Sequence, residues 1–116
     1  MLKCQFEKYK QTLICKFSER MDSENSLAAA LMIDEKLEKL LNKNEIKISA
    51  ENSNKFENLK IIFDLQDVNF VSSAFMRNCI MFAKKVQPEY FSIINTHPFI
   101  KKTFKIAGLD NMMEIL

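Results

Sequence analysis

The chain has 116 residues, nearly half of them hydrophobic and 10 of them Phe, enough for one core but not for two. Its 17 Lys and Arg against 15 Asp and Glu leave a net charge of +2, too balanced for nucleic acid to be the main partner. A single Gly and 2 Pro exclude a disordered, collagenous or turn-rich all-β chain, and no apolar run approaches the ~18 residues that a membrane span requires. Lys3 and Glu7 interrupt the start, so no signal-peptide pattern opens the chain and a cytoplasmic location is expected. The 3 cysteines, Cys4, Cys15 and Cys79, are odd in number, far apart in sequence and set in apolar surroundings. They read as reduced core thiols rather than as a disulfide pair or a metal site.

Leu2 to Glu7 alternates apolar and polar residues, and Thr12 to Phe17 does so more loosely. With Lys8 to Gln11 as the turn, the two form an antiparallel hairpin whose second, more apolar strand lies further inside the sheet. Arg20 to Ser26 offers several helix-capping side chains with an acidic residue in the first turn. The apolar positions Leu27, Ala30, Leu31, Ile33, Leu37, Leu40 and Leu41 then recur at helical spacing, which predicts an amphipathic helix ending near Asn42 to Asn44. The polar interval from Lys43 to Asn58 reads as a long connection with one alternating fragment, Ile46 to Ile48.

Ile61-Ile62-Phe63 is a short apolar run that breaks at Asp64, the pattern of a strand buried on both faces at the centre of a parallel sheet. Gln66 to Ser73 reads as a loop carrying Asp67 and Asn69, closed by Ser72-Ser73 as the start of a helix over Ala74 to Val86. Phe75, Cys79, Phe82, Ala83 and Val86 form its buried stripe. Tyr90 to Ile94 is the next strand. Pro98 opens a helix expected to bury Phe99, Ile100, Phe104 and Ala107, to show Lys101, Lys102 and Lys105 to water, and to stop at Gly108. Met112 to Leu116 closes the chain as a short strand.

The order is β-β-α-β-α-β-α-β, an α/β fold with a mixed, mostly parallel sheet flanked by helices. Function in such sheets gathers at the strands' carboxyl ends. Three predicted loops meet there: Ser18 to Ser26, Gln66 to Ser73 and Asn95 to Pro98. A hydrolase would require Ser72 or Ser73 to act with His97, the only histidine. A phosphate cradle would require glycines, and the central loop has none. Asp64 and Asp67 lack a third polar partner for a cation. Neither an enzyme activity nor a cofactor or metal is expected.

Three segments resemble the STAS domain family (sulphate transporter and anti-sigma factor antagonist), and together they span nearly the whole chain. Arg20-Met21-Asp22 resembles the Gly/Arg-Leu/Met-Asp that opens the family's first helix. Ile61 to Ala74, IIFDLQDVNFVSSA, is similar to its strand-loop-helix signature of apolar strand, Asp-Leu, short apolar loop and Asp-Ser-Ser/Thr-Gly. Phe104 to Leu116, FKIAGLDNMMEIL, is similar to its closing helix, Ala-Gly-Leu turn and last strand. The resemblance implies a single STAS-like domain over residues 1–116, without catalysis. In the antagonist branch, a serine at the start of the second helix is phosphorylated by an anti-sigma kinase, and alignment puts it at Ser73. The chain departs from the motif at Ser72, where the family has Asp, and at Ala74-Phe75, where it has a small residue and Gly. Ser72 is then a second acceptor candidate or simply the cap.

What the resemblance implies is a bacterial regulatory module that docks a protein partner, such as an anti-sigma serine kinase. The docking edge would comprise Asp22, Ser23, Asp67, Ser72, Ser73, Phe75, Met76 and Arg77. The alternative is a STAS scaffold or small-ligand-binding domain without a phosphoswitch.

Overall fold

The computed structural model describes residues 1–116. Two strands, β1 (Leu2–Glu7) and β2 (Thr12–Met21), form the expected hairpin, in a register that sets Leu2 against Phe17 and Glu7 against Thr12. After the first helix, α1 (Ser23–Asn42), a two-stranded hairpin of β3 (Lys47–Ile48) and β4 (Phe56–Glu57) leads into β5 (Lys60–Val71). Helix α2 (Ser73–Ala83), strand β6 (Phe91–Ile94), helix α3 (Pro98–Ile106) and strand β7 (Glu114–Ile115) complete the chain. The main sheet has the order β1-β2-β5-β6-β7, with β1 its only antiparallel member. The expected fold class is therefore the observed one, and β5 is its central strand.

Burial along β5 explains how it organises the core. Ile61, Phe63 and Leu65 alternate inward and are fully buried. Phe63 is a hub: its ring centroid lies 4.8 Å from Phe17, 5.0 Å from Phe91, 5.9 Å from Phe82 and 6.2 Å from Phe75. The edge-on members of this group gain about 0.5–1.5 kcal/mol each beyond area burial. One cluster joins these rings to Ile33, Leu37 and Leu40 of α1 and to Ile100 and Phe104 of α3. Ile14 and Ile62, cross-strand partners of the opposite parity, stand outside it. Because β2, β5, β6 and β7 step one way across the sheet, right-handed crossovers put all three helices on one face. The other face carries Ile14, Lys16, Ile62, Asp64 and Ile94, each half-buried or exposed.

Four sequence expectations are corrected. First, the segments read as loops, Ser18 to Ser26 and Gln66 to Ser73, are strand as far as Met21 and Val71. Two register shifts, at Lys16/Ser18 and Glu19/Arg20, each insert one extra residue into β5. The buried positions after Leu65 are therefore Val68 and Val71, at a spacing of three, which breaks the period-2 pattern without ending the strand. Second, α1 buries Ser26, Ala29, Ala30, Ile33, Leu37 and Leu40, while Leu27 and Leu31 are 65% and 62% exposed. Small Ala29 and Ala30 let the helix approach the sheet, and the two leucines rotate to its flank. Third, α3 buries the i, i+4 pair Ile100 and Phe104. That line leaves Phe99 74% exposed, and Ala107 is exposed as well. Fourth, the second helix is shorter than Ala74 to Val86, ending at Ala83, although Val86 is still buried in the core.

The polar interval after α1 is held in place by its few apolar residues. Ile46, Phe56 and Leu59 are buried, the Phe56 N–H donates to the Lys85 carbonyl at 2.8 Å, and the Lys55 ammonium donates to the carbonyls of Lys84 and Val86. Gly108 sits at φ +81°, the left-handed conformation that ends α3.

Replacing Phe63 with Ala should cost about 3–5 kcal/mol, whereas Leu31→Ala should stay within about 0.5 kcal/mol. Urea denaturation midpoints of the two variants check both the hub and the flank position of Leu31.

Candidate functional site

The paired strands β2 and β5 end together, and each runs directly into a helix. Met21 is register partner to Val71, and the next residues, Asp22 and Ser72, are the two N-caps. The Asp22 carboxylate accepts the Asn25 N–H at 2.9 Å, and the Ser72 hydroxyl accepts the Phe75 N–H at 3.2 Å. The Ser72 N–H donates to the Met21 carbonyl at 3.0 Å, so the two helix starts are tied directly. A second tie lies one turn deeper, where Asn78 Nδ2 donates to the Ser26 carbonyl at 2.7 Å. Ser26 is buried and its hydroxyl donates to the Met21 carbonyl at 3.3 Å. Asn25 Nδ2 also donates to the Arg20 carbonyl at 2.7 Å, and the Arg20 guanidinium lies 4.2 Å from the centre of the Phe70 ring on the neighbouring strand.

This arrangement separates the two serines. Ser72 is half-buried and its hydroxyl is committed to the cap. Ser73 is the first helical residue of α2 and is exposed. Its counterpart on α1 is Ser23, also first in its helix and exposed. Each stands where unpaired backbone N–H groups and the positive end of a helix dipole favour a negative group. Arg77, also exposed, follows Ser73 by one turn of α2.

The other predicted partner-binding residues divide. Asp22 and Met76 are half-buried, and Met76 packs against the core. Phe75 is 0% exposed and its ring centroid lies 5.1 Å from that of Phe17. Its inclusion in a docking surface is corrected, because its side chain points into the core at the first turn of α2. Asp67 is exposed on β5 rather than on a loop, and pairs with Lys16 at 3.7 Å.

Another depression of ≈ 430 Å³ lies beside the end of β6, lined by Gln66, Asp67, Val68, Asn69, His97, Phe99 and Ile100. The sequence brings Gln66 to Ser73 and Asn95 to Pro98 to this edge but suggests a core position for Phe99, so the exposed ring in the lining was not legible. Within it, a His97 ring nitrogen lies 2.8 Å from the Gln66 carbonyl oxygen. Asp64 accepts from the Gln66 N–H at 3.0 Å and from Asn95 Nδ2 at 3.1 Å. The His97 ring contacts the Gln66 carbonyl and the Ser72 hydroxyl accepts from Phe75, and neither Ser72 nor Ser73 is hydrogen-bonded to His97 as a serine nucleophile and its base would be.

No protein-family model and no curated protein matches the chain. Among solved structures, it is similar to the anti-sigma factor antagonist SpoIIAA in its unphosphorylated form, with a TM-score of 0.63 and 11% identity. That match covers 100% of this chain and 87% of the other. The phosphorylated form of SpoIIAA, a cell fate determinant of Bacillus, matches with a TM-score of 0.59 and 11% identity, over 100% of this chain and 91% of the other.

Capping by Ser72 rather than Ser73 has a direct consequence for stability. Ser72→Ala should cost about 1 kcal/mol, and Ser72→Asp should retain most of that. Ser73→Ala should shift stability by less than about 0.5 kcal/mol. Thermal or urea unfolding of the three variants checks the assignment.

Proposed function

We propose that this chain, which has the fold of an anti-sigma factor antagonist, is a bacterial regulatory module that binds a protein partner at the paired helix starts and is switched by phosphorylation of Ser73. No helix in it is long and apolar enough to cross a membrane. The observation that carries this reading is the exposed Ser73 at the first position of α2, with the cap already filled by Ser72. The hydroxyl can therefore be modified without unmaking the helix start.

The physics of the switch follows from that position. A phosphate on Ser73 adds about two negative charges and three acceptor oxygens. The free N–H groups of the first turn and the Arg77 guanidinium one turn on would stabilise it. Before modification, the face offered to a partner combines Ser23, Ser73, Arg77 and the exposed parts of Asp22 and Met76. Placed at the centre of such a contact, a phosphate that no partner cation meets would break it by desolvation and repulsion. The partner class that fits is a serine kinase of the anti-sigma type, by analogy with the antagonist fold. Ser72, whose hydroxyl is the cap, is the weaker acceptor.

The ≈ 430 Å³ depression at His97 favours a second reading, a STAS-like domain that holds a small ligand without a phosphoswitch.

The test uses the native partner recovered on immobilised wild-type chain. Ser73→Asp should weaken that complex by at least tenfold, while Ser73→Ala should retain it and resist phosphorylation. Equal binding by both variants would favour the scaffold reading. Calorimetric titration of the purified pair measures the difference.

A further inference from the structure

Cys4 and Cys15, far apart in sequence, are brought directly opposite one another by the β1–β2 hairpin. Their position in the ladder follows from its end. The Ser18 N–H donates to the Met1 carbonyl at 3.0 Å, and the Met1 amino group donates to the Ser18 carbonyl at 3.3 Å. Met1 and Ser18 are thus a hydrogen-bonded pair, and such pairs alternate with non-hydrogen-bonded ones along an antiparallel ladder. Leu2/Phe17 is non-hydrogen-bonded, Lys3/Lys16 hydrogen-bonded and Cys4/Cys15 non-hydrogen-bonded. Side chains approach most closely at such a pair, with Cα atoms about 4.5 Å apart. A disulfide accepts about 4.4–6.8 Å, so a pair of this kind falls within what a bridge can span.

Access and chemistry favour Cys4 as the reacting thiol. Cys15 is buried, while Cys4 is partly exposed and lines a depression with Met32, Glu35, Lys36 and Lys39 on α1. Interaction with the Cys15 thiol, which donates towards its sulfur, holds the Cys4 thiol below its usual range, and the charge of Lys36 adds to this. The same interaction, with burial, pushes Cys15 up. Cys79 is wholly buried in the core, and burial pushes its thiol up. Both are poor first nucleophiles at neutral pH.

We propose that Cys4 and Cys15 form a two-cysteine oxidation site that takes a hydroperoxide as its oxidant and closes to a reversible cross-strand disulfide. The Cys4 thiolate attacks a peroxide oxygen, the O–O bond breaks, and the departing hydroxide takes a proton to become water. The resulting sulfenic acid is attacked by the Cys15 sulfur. The S–O bond breaks, and the second hydroxide leaves as water with the Cys15 proton. Two thiols lose two electrons, and one hydrogen peroxide becomes two waters. The partly exposed Cys4 leaves one sulfur of the bridge within reach of a reducing thiol. The site is separate from the paired helix starts, so its chemistry does not depend on the reading of Ser73.

Reduced full-length protein treated with hydrogen peroxide in neutral buffer, then alkylated in denaturant, tests the proposal. Two of the three thiols should be lost. A tryptic peptide Cys4–Lys8 should be found joined to Gln11–Lys16, and dithiothreitol should restore all three. Cys79→Ser should leave the reaction unchanged. With Cys15→Ser, Cys4 should instead stop at sulfenic acid trappable by dimedone, or proceed to sulfinic acid. Retention of three alkylatable thiols at a dose that oxidises glutathione would overturn the proposal. So would a bridge that includes Cys79 or joins two chains.

Discussion

The structure depends on the parallel pairing of β2 with β5. Register runs from Thr12 against Lys60 to Met21 against Val71, through two bulges. Because β5 is central, its inward residues meet both flanking strands and two helices, and Phe63 touches an aromatic ring on β2, α2 and β6. β1, the main sheet's only antiparallel strand, and the short β7 close its two edges. The pairing also sets where the helices begin, since both strands leave the sheet at the same level and each next residue is a cap. Two helix starts with exposed first serines are a consequence of one strand register.

That geometry gives the departures from the STAS motif a physical meaning. Where the STAS motif that the segment resembles has Asp, the chain has Ser72, which performs the capping that a carboxylate could also perform. The position of the family's Gly is Phe75, whose ring is turned into the core against Phe17 and Phe63 and adds no bulk to the outer surface. Phe75 therefore adds no exposed surface at the helix start. The charge that the Asp would have supplied is missing, so the local balance shifts towards Arg20 and Arg77.

Element order, the central strand and the capping segments were legible because each had an unambiguous period or cap residue. Ile61 to Phe63 read as a buried strand and is one. Arg20 to Ser26 held the cap, at Asp22. The bulged end of β5 was not legible, since inserting one residue moves the next inward side chain from two to three places on, and Gln66, Asp67 and Asn69 then look like a loop. Faces of helices were only partly legible: Leu27, Leu31 and Phe99 fit an apolar stripe as well as their buried neighbours do, and tertiary packing decides which line faces in. Phe75 fits both a core stripe and a docking edge in the sequence, and packing leaves only the first. The opposition of Cys4 and Cys15 required the hairpin register, which the turn Lys8 to Gln11, lacking a two-residue turn signal, did not specify.

The central proposal is that Ser73, rather than Ser72, accepts a phosphate. Its most direct test is to purify the chain from its native host across the growth cycle and fragment the tryptic peptide Ile61–Arg77, which contains both serines. The account predicts a phosphorylated fraction with phosphate on Ser73 alone. Phosphate on Ser72, or a peptide unmodified at every stage, would contradict it.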